Sequence, residues 1–122
     1  MDFSLPDELQ MMQRSVREFA QEEIAPLAAD LDRKPAFPWE TLRKMGELGL
    51  LGVTTPEEHG GAGLDSLSFV VLLEEIAAAD ASHATIMAVT NGMPQDMLLA
   101  HGSAAQKERY LRKLASGEWI GA

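Results

Sequence analysis

The segment from Ser66 to Ala79 constrains the fold of this chain more than any other segment. Its large apolar residues leave almost no polar face before Glu74 and Glu75: Leu67, Phe69, Val70, Val71, Leu72, Leu73 and Ile76. A helix that is apolar all round is not stable in water on its own. We therefore expect this segment to form a helix, capped by Ser66, that neighbouring helices bury on most sides.

The residues before this segment have the spacing of amphipathic helices. After Pro6, apolar residues recur every three or four positions at Leu9, Met12, Val16, Phe19, Ala20, Ile24, Leu27 and Leu31. Pro26 lies inside this long helix and predicts a kink or break, because proline lacks the amide hydrogen and crowds the preceding turn. A shorter helix after Pro38 is predicted to end near Gly46 or Gly49. The apolar residues 50–53 that follow are ambiguous between a helix end and a strand.

Two more helices are predicted in the C-terminal half. The first runs from about Ser82 to His101 and is interrupted by Asn91-Gly92 and Pro94. The second begins at Ser103, whose partner Gln106 stands three positions on, as in a capping box. No pair of strands is predicted. The chain is therefore expected to be one all-α domain, an up-and-down-like bundle of five or six helices.

A glycine-rich irregular segment separates the predicted helices between Thr54 and Asp65. Its Gly61-Ala62-Gly63 run is similar to part of a phosphate-binding loop. However, Ser66 stands where a third glycine is needed, and no repeated strand and helix units surround the loop. A turn that shapes a surface between two helices is the favoured interpretation.

Neither the histidines nor the carboxylates form a convincing catalytic or metal-binding pattern. Asp80 and His83 are three residues apart and can share a helical face, but a metal site in a bundle needs a second such motif. Helix capping by Asp80 and a polar role for His83 are favoured. Glu74 and Glu75 point about 100° apart on a helix, so at least one should reach water or a basic partner. We predict no metal site and no catalytic residue.

Composition excludes several classes of function. The net charge of −9 argues against nucleic acid or an anionic membrane bound through a basic patch. The absence of cysteine excludes disulfides and thiolate chemistry. No apolar run approaches the roughly 20 residues of a membrane span. The first residues carry no secretory leader pattern, so a cytoplasmic location is expected.

Three motifs stand out in the second half of the chain: PEEHGGAGL at 56–64, QKERYL at 106–111 and GEWIGA at 117–122. Together they resemble the acyl-CoA dehydrogenase family, and the resemblance extends from about Leu5 to the last residue. It implies an FAD-dependent enzyme that oxidises an acyl-CoA thioester to its trans-enoyl product. In such enzymes a carboxylate base takes the α-proton, and the β-hydrogen passes as hydride to FAD. The implied partners are an electron-transfer flavoprotein and the other subunits of a homotetramer.

The resemblance also implies a division of labour within the polypeptide. Residues 1–118 correspond to the family's N-terminal helical domain, and residues 119–122 correspond to the start of a middle β domain. The family's flavin contacts and catalytic base lie beyond the position of Ala122, so no catalytic or cofactor-binding residue is expected in this segment, which alone should be inactive. In relatives, this domain supplies part of the wall around the acyl chain, chiefly from the helix that matches Ser82 to His101. The implied substrate-binding residues are Thr85, Ile86, Val89, Thr90 and Met93.

Core packing is the commoner role of methionines such as Met87, Met93 and Met97. Independently of the resemblance, the helix break among them favours a ligand-lining role, because flexible side chains beside irregular backbone suit an apolar cavity. Two departures from the family leave the acyl-chain preference open: His59 stands where many relatives have Tyr, and Thr90 where many have His.

Alternative functions remain. The same scaffold serves acyl-CoA oxidases and flavin monooxygenases, and a stand-alone helical protein-binding module is a further alternative. If the chain is instead the N-terminal domain of an acyl-CoA dehydrogenase, this domain in isolation is expected to expose an apolar patch where the other domains dock.

Overall fold

The computed structural model describes residues 1–122 and contains five continuous helical segments and no strand. Two of the five contain a π-helical turn, and a single 3₁₀ turn (Glu57–His59) lies outside them. The elements in chain order are α1 (Asp7–Phe19), a first π-turn (Ala20–Ile24), α2 (Ala25–Arg33), α3 (Trp39–Glu47), the 3₁₀ turn, α4 (Ser66–Ala79), α5 (Ala81–Thr90), a second π-turn (Asn91–Gln95), α6 (Asp96–His101) and α7 (Ala104–Ser116). The predicted all-α fold is confirmed. No helix is long and apolar enough to cross a membrane.

The break predicted at Pro26 is present as the first π-turn. Pro26 stands at the start of α2, where a missing amide hydrogen costs little. Within the turn, Ala20 and Ile24 are completely buried. The turn therefore lets one long helix pass Pro26 without losing its contact with the core.

The core lies where the first helical segment, α3, α4 and α5 meet. Its buried members are Val16, Ala20, Ile24, Leu42, Met45, Leu50, Leu51, Val53, Leu72, Ile76, Ala84 and Met87. Three of these belong to the segment 50–55, which forms neither of the two predicted alternatives, helix end or strand, but a buried irregular turn. Its backbone polar groups therefore need partners from outside regular secondary structure.

The expectation that α4 is buried on most sides is wrong. Its side chains Leu67 and Val70 are 51% and 50% exposed, whereas Leu72 and Ile76 are buried. The reason is that α4 packs against α5, α1 and the first π-turn, and no other helix covers its remaining side. One apolar face of α4 is open to solvent.

Helix caps agree with the sequence at two of three predicted positions. Asp65, rather than Ser66, caps α4: its Oδ1 accepts from the Ser68 amide at 2.8 Å. Hydrogen bonds from the Ser68 hydroxyl and amide lower the pKa of Asp65. Asp80 caps α5 by accepting from the His83 amide at 3.0 Å, and Ser103 with Gln106 forms the complete capping box of α7. Both of these predictions are confirmed.

Candidate functional site

The five residues implied to bind substrate lie along α5 and its π-turn, and they differ widely in exposure. Thr85 is exposed and its hydroxyl donates to the Ala81 carbonyl within its own helix at 2.9 Å. Ile86 and Val89 are half-buried, Thr90 is completely buried, and Met93 is 63% exposed. None of these five residues lines the two largest concavities of the domain. We call these five residues the α5 wall; its substrate role stays a prediction.

The methionines near the helix break separate into two groups. Met87 is fully buried and belongs to the core. Met93 and Met97 are 63% and 60% exposed. Only the latter two are therefore placed where a ligand or another domain can reach them.

The C-terminal residues pack beside the α5 wall. The Thr90 hydroxyl lies 3.5 Å from the Gly121 carbonyl oxygen, and Gly121 itself lies against Pro94. Ile120 packs against the core, and residues 119–122 form no strand within this chain. The assignment of these residues to a further domain stays a prediction.

Two residues that the sequence analysis did not single out for a function hold the second π-turn in place. The Asn91 and Gln95 side chains are 2% and 0% exposed, and their amides bond to the backbone of residues 50–53 and to Thr55. The available signal in the sequence was a pair of amide side chains flanking Pro94, the residue that cannot donate a backbone hydrogen bond.

The largest concavity is a groove of about 700 Å³ between the first helical segment and the residues around Leu48 and Leu64. Its floor is apolar and includes Met12, Val16 and Phe19. Four glutamates line it as well: Glu8, Glu18, Glu22 and Glu23. We call it the α1 groove. It suits an apolar side chain flanked by positive charge.

The glycine-rich loop does not fit a phosphate or FAD-pyrophosphate site. The amides of Gly61, Ala62 and Gly63 donate to the carbonyls of Pro56, Gly52 and Thr55 at 3.2, 2.8 and 2.9 Å. Because these donors are used within the protein, they cannot cradle an anion. The interpretation of the loop as a shaped turn agrees with this arrangement.

His83 takes the polar role that the sequence analysis favoured. Its ring is completely buried, with Nδ1 2.6 Å from Asp80 Oδ2 and Nε2 2.8 Å from Thr41 Oγ1. Desolvation acts to raise the pKa of Asp80, but the hydrogen bonds from His83 outweigh it and the pKa is lowered. No group of three or more His, Asp or Glu side chains is arranged to hold a metal.

The fold and the site together define a helical domain that presents a helix face and a groove. A model of the acyl-CoA dehydrogenase N-terminal domain matches residues 6–118. The chain belongs to the acyl-CoA dehydrogenase family.

The relatives extend well beyond this domain. The chain is 45% identical to the mitochondrial short-chain specific acyl-CoA dehydrogenase of Mus musculus over 117 residues, 96% of the chain and 28% of that protein. A solved glutaryl-coenzyme A dehydrogenase complex matches 99% of the chain and 31% of its own, with a TM-score of 0.94 and 40% identity. A chain in the structure of the electron transferring flavoprotein of Acidaminococcus fermentans matches 98% of this chain and 32% of its own, with a TM-score of 0.91 and 32% identity. The chain thus spans about a third of these proteins.

Proposed function

We propose that this chain is the N-terminal domain of an FAD-dependent acyl-CoA dehydrogenase, which oxidises an acyl-CoA thioester to a trans-enoyl-CoA. The observation that carries the proposal is the match of residues 6–118 to that domain of the family. In this proposal the domain contributes part of the wall around the acyl chain. The catalytic base and the groups that hold FAD belong to the rest of the polypeptide. The family resemblance also implies that the whole enzyme assembles as a homotetramer.

The exposure of the α5 wall supports this role. Met93 is largely exposed, and Ile86 and Val89 are only partly covered. When a ligand or another domain covers apolar side chains that contact water, the burial stabilises the complex by about 25 cal/mol for each Å². The wall is therefore suited to become one side of an apolar cavity that other parts of the protein complete.

The α1 groove is suited to bind a protein partner. None of the α5 wall residues lines the groove, so a partner bound there would leave the wall free for substrate. Its acidic residues favour a partner that presents Lys or Arg around an apolar side chain. We assign this groove to the electron-transfer flavoprotein implied by the family resemblance. Phe19→Ser should weaken that complex, whereas Leu67→Ser, on the open face of α4, should not.

A chimera tests the proposed function. Residues 6–118 replace the matching segment of the mouse short-chain enzyme, and FAD content and acyl-CoA oxidation are measured. We expect a yellow enzyme that oxidises butyryl-CoA. In this background Val89→Trp should lower kcat/KM for octanoyl-CoA relative to butyryl-CoA by about tenfold, because a pocket filled at one wall rejects added methylenes.

Val70→Trp is the matched control, since it makes the same substitution at an exposed apolar position outside the wall. It should leave the ratio of the two substrates unchanged. A folded chimera that holds FAD but binds no acyl-CoA would contradict the proposal. Oxygen consumption in place of transfer to the flavoprotein would instead favour an acyl-CoA oxidase. If the groove binds a protein but the chimera lacks FAD, the module alternative gains support.

A further inference from the structure

Two buried amide side chains connect the second π-turn to the irregular segment 50–55. Asn91 Nδ2 donates to the carbonyls of Leu50 and Met87, both at 2.8 Å, and Asn91 Oδ1 accepts from the Val53 amide at 2.7 Å. Every hydrogen-bonding atom of this side chain is thus paired. Four residues later on the helix, a second amide repeats the arrangement.

The second amide belongs to Gln95. Its Nε2 donates to the carbonyls of Leu51 and Thr90 at 2.6 and 2.7 Å, and its Oε1 accepts from the Thr55 hydroxyl at 2.5 Å. In a regular helix the Thr90 carbonyl would accept from residue 94, but Pro94 has no amide hydrogen. The Gln95 side chain therefore adds a donor to a carbonyl that has no α-helical partner. We call the side chains of Asn91 and Gln95 the amide clamp.

The clamp pairs with three backbone groups of this segment, the Leu50 and Leu51 carbonyls and the Val53 amide. The amides of residues 62–64 in the glycine-rich loop donate to three of its other carbonyls. Leu50, Leu51 and Val53 are at most 1% exposed and belong to no helix. A buried backbone group without a partner costs more than a made hydrogen bond gains, so the segment and the π-turn hold each other in one arrangement. No buried side-chain nitrogen or oxygen of the domain lacks a partner.

The clamp also fixes part of the α5 wall. Thr90 stands immediately before Asn91, and Met93 lies between the two clamp residues. We propose that Asn91 and Gln95 are positioning residues, which set where the buried Thr90 and the exposed Met93 of the α5 wall stand. This inference rests on the proposed function for the identity of the ligand, an acyl chain, but the positioning itself is a property of this domain.

The test uses two variants that remove the amides but keep the side-chain size, Asn91→Leu and Gln95→Met. Thr55→Val is a milder variant that removes only the hydroxyl donated to Gln95, and it keeps the test open if the others do not fold. Leu9→Ala is the control, because Leu9 is a buried residue of α1 outside the clamp. All four are compared in the 122-residue chain by circular dichroism, amide exchange and methyl NMR.

We expect Asn91→Leu to speed exchange of the Val53 amide by about tenfold, the factor that corresponds to the net contribution of one buried hydrogen bond. The Met93 methyl resonance should shift in all three clamp variants and stay in place in Leu9→Ala. Helix content should be retained. Unchanged Met93 resonances in folded clamp variants, or an equal shift in the control, would overturn the positioning role.

The same variants in the chimera connect positioning to substrate. Gln95→Met should raise KM for butyryl-CoA about tenfold with a smaller change in kcat, whereas Leu9→Ala should change neither. An unmodified chimera that binds no acyl-CoA contradicts the proposed function and leaves the NMR result to decide positioning. An active chimera with the same KM in Gln95→Met overturns this inference alone.

Discussion

At the level of single residues, Glu75 shows how a carboxylate is accommodated on the apolar helix α4. Its side chain is 9% exposed and accepts from Gln13 Nε2 at 2.8 Å and from Arg17 Nε and Nη2 at 2.8 and 2.7 Å. The hydrogen bonds from Arg17 lower the pKa of Glu75 against the opposing effect of desolvation. Glu74 is exposed, so the expectation that at least one of the pair reaches water or a basic partner is confirmed.

Glu75→Gln should lower the free energy of unfolding at pH 7 by about 1 kcal/mol, because Arg17 is 55% exposed and solvent screens the pair. The contribution of the ionised carboxylate is full above the unfolded pKa, near the ordinary value of 4.5, and is lost as pH falls through the lower folded pKa. Urea denaturation of both proteins between pH 7 and pH 3 measures it.

Glu74→Gln is the control for this titration, since Glu74 lies exposed on the same helix. The difference between wild type and Glu75→Gln should shrink below pH 4.5, and Glu74→Gln should show little difference at any pH. A difference for Glu75→Gln that is constant across this range would show that its ionisation does not stabilise the fold.

At the level of the elements, α3 and α7 are held close together by glycine. A Cβ on Gly46 would collide with the backbone carbonyl of Ser116, at the end of α7. A backbone atom in a packed helix cannot move aside as a flexible side chain can. The two helices can therefore approach only because position 46 carries no side chain. Gly92, in the second π-turn, has no atom within 4 Å of such a Cβ and does not have this constraint.

Gly46→Ala should destabilise the domain by about 2–3 kcal/mol, because α3 and α7 must separate to accommodate the methyl group. Gly92→Ala should have the opposite sign and stabilise by about 0.5–1 kcal/mol, because alanine restricts the unfolded chain and favours helix. Thermal and urea unfolding of both variants compare the two. Similar effects at the two positions would contradict the close approach of α3 to α7.

At the level of the whole molecule, several large apolar side chains remain open to solvent, and four of them lie on two helical regions of the C-terminal half. Leu67 and Val70 lie on the open face of α4, and Met93 and Met97 lie on the second π-turn and α6. Each of these four side chains is at least 50% exposed. Apolar surface that stays open in a folded domain commonly marks an interaction site. The expectation of exposed apolar surface agrees with these residues, and its role in domain docking stays a prediction.

The folded chain should therefore bind an anilinonaphthalene sulfonate dye without denaturant. The double variant Met93→Gln and Met97→Gln should reduce the dye fluorescence. Its free energy of unfolding should change by no more than about 0.5 kcal/mol, the range of surface substitutions. Lys107→Gln and Arg109→Gln, both on α7, serve as a control for attraction between the anionic dye and basic residues. No dye fluorescence from a folded monomer would contradict the prediction.

The sequence by itself determined the helices, most of their ends and the family. The spacing after Pro6, the cap at Asp80 and the capping box at Ser103 act over three or four residues, so they can be predicted without knowing the fold. The amide clamp could not be predicted, because Asn91 and Gln95 bond to residues about forty positions earlier, at 50–55. The open face of α4 was also decided by tertiary structure, since burial depends on which helices pack beside it.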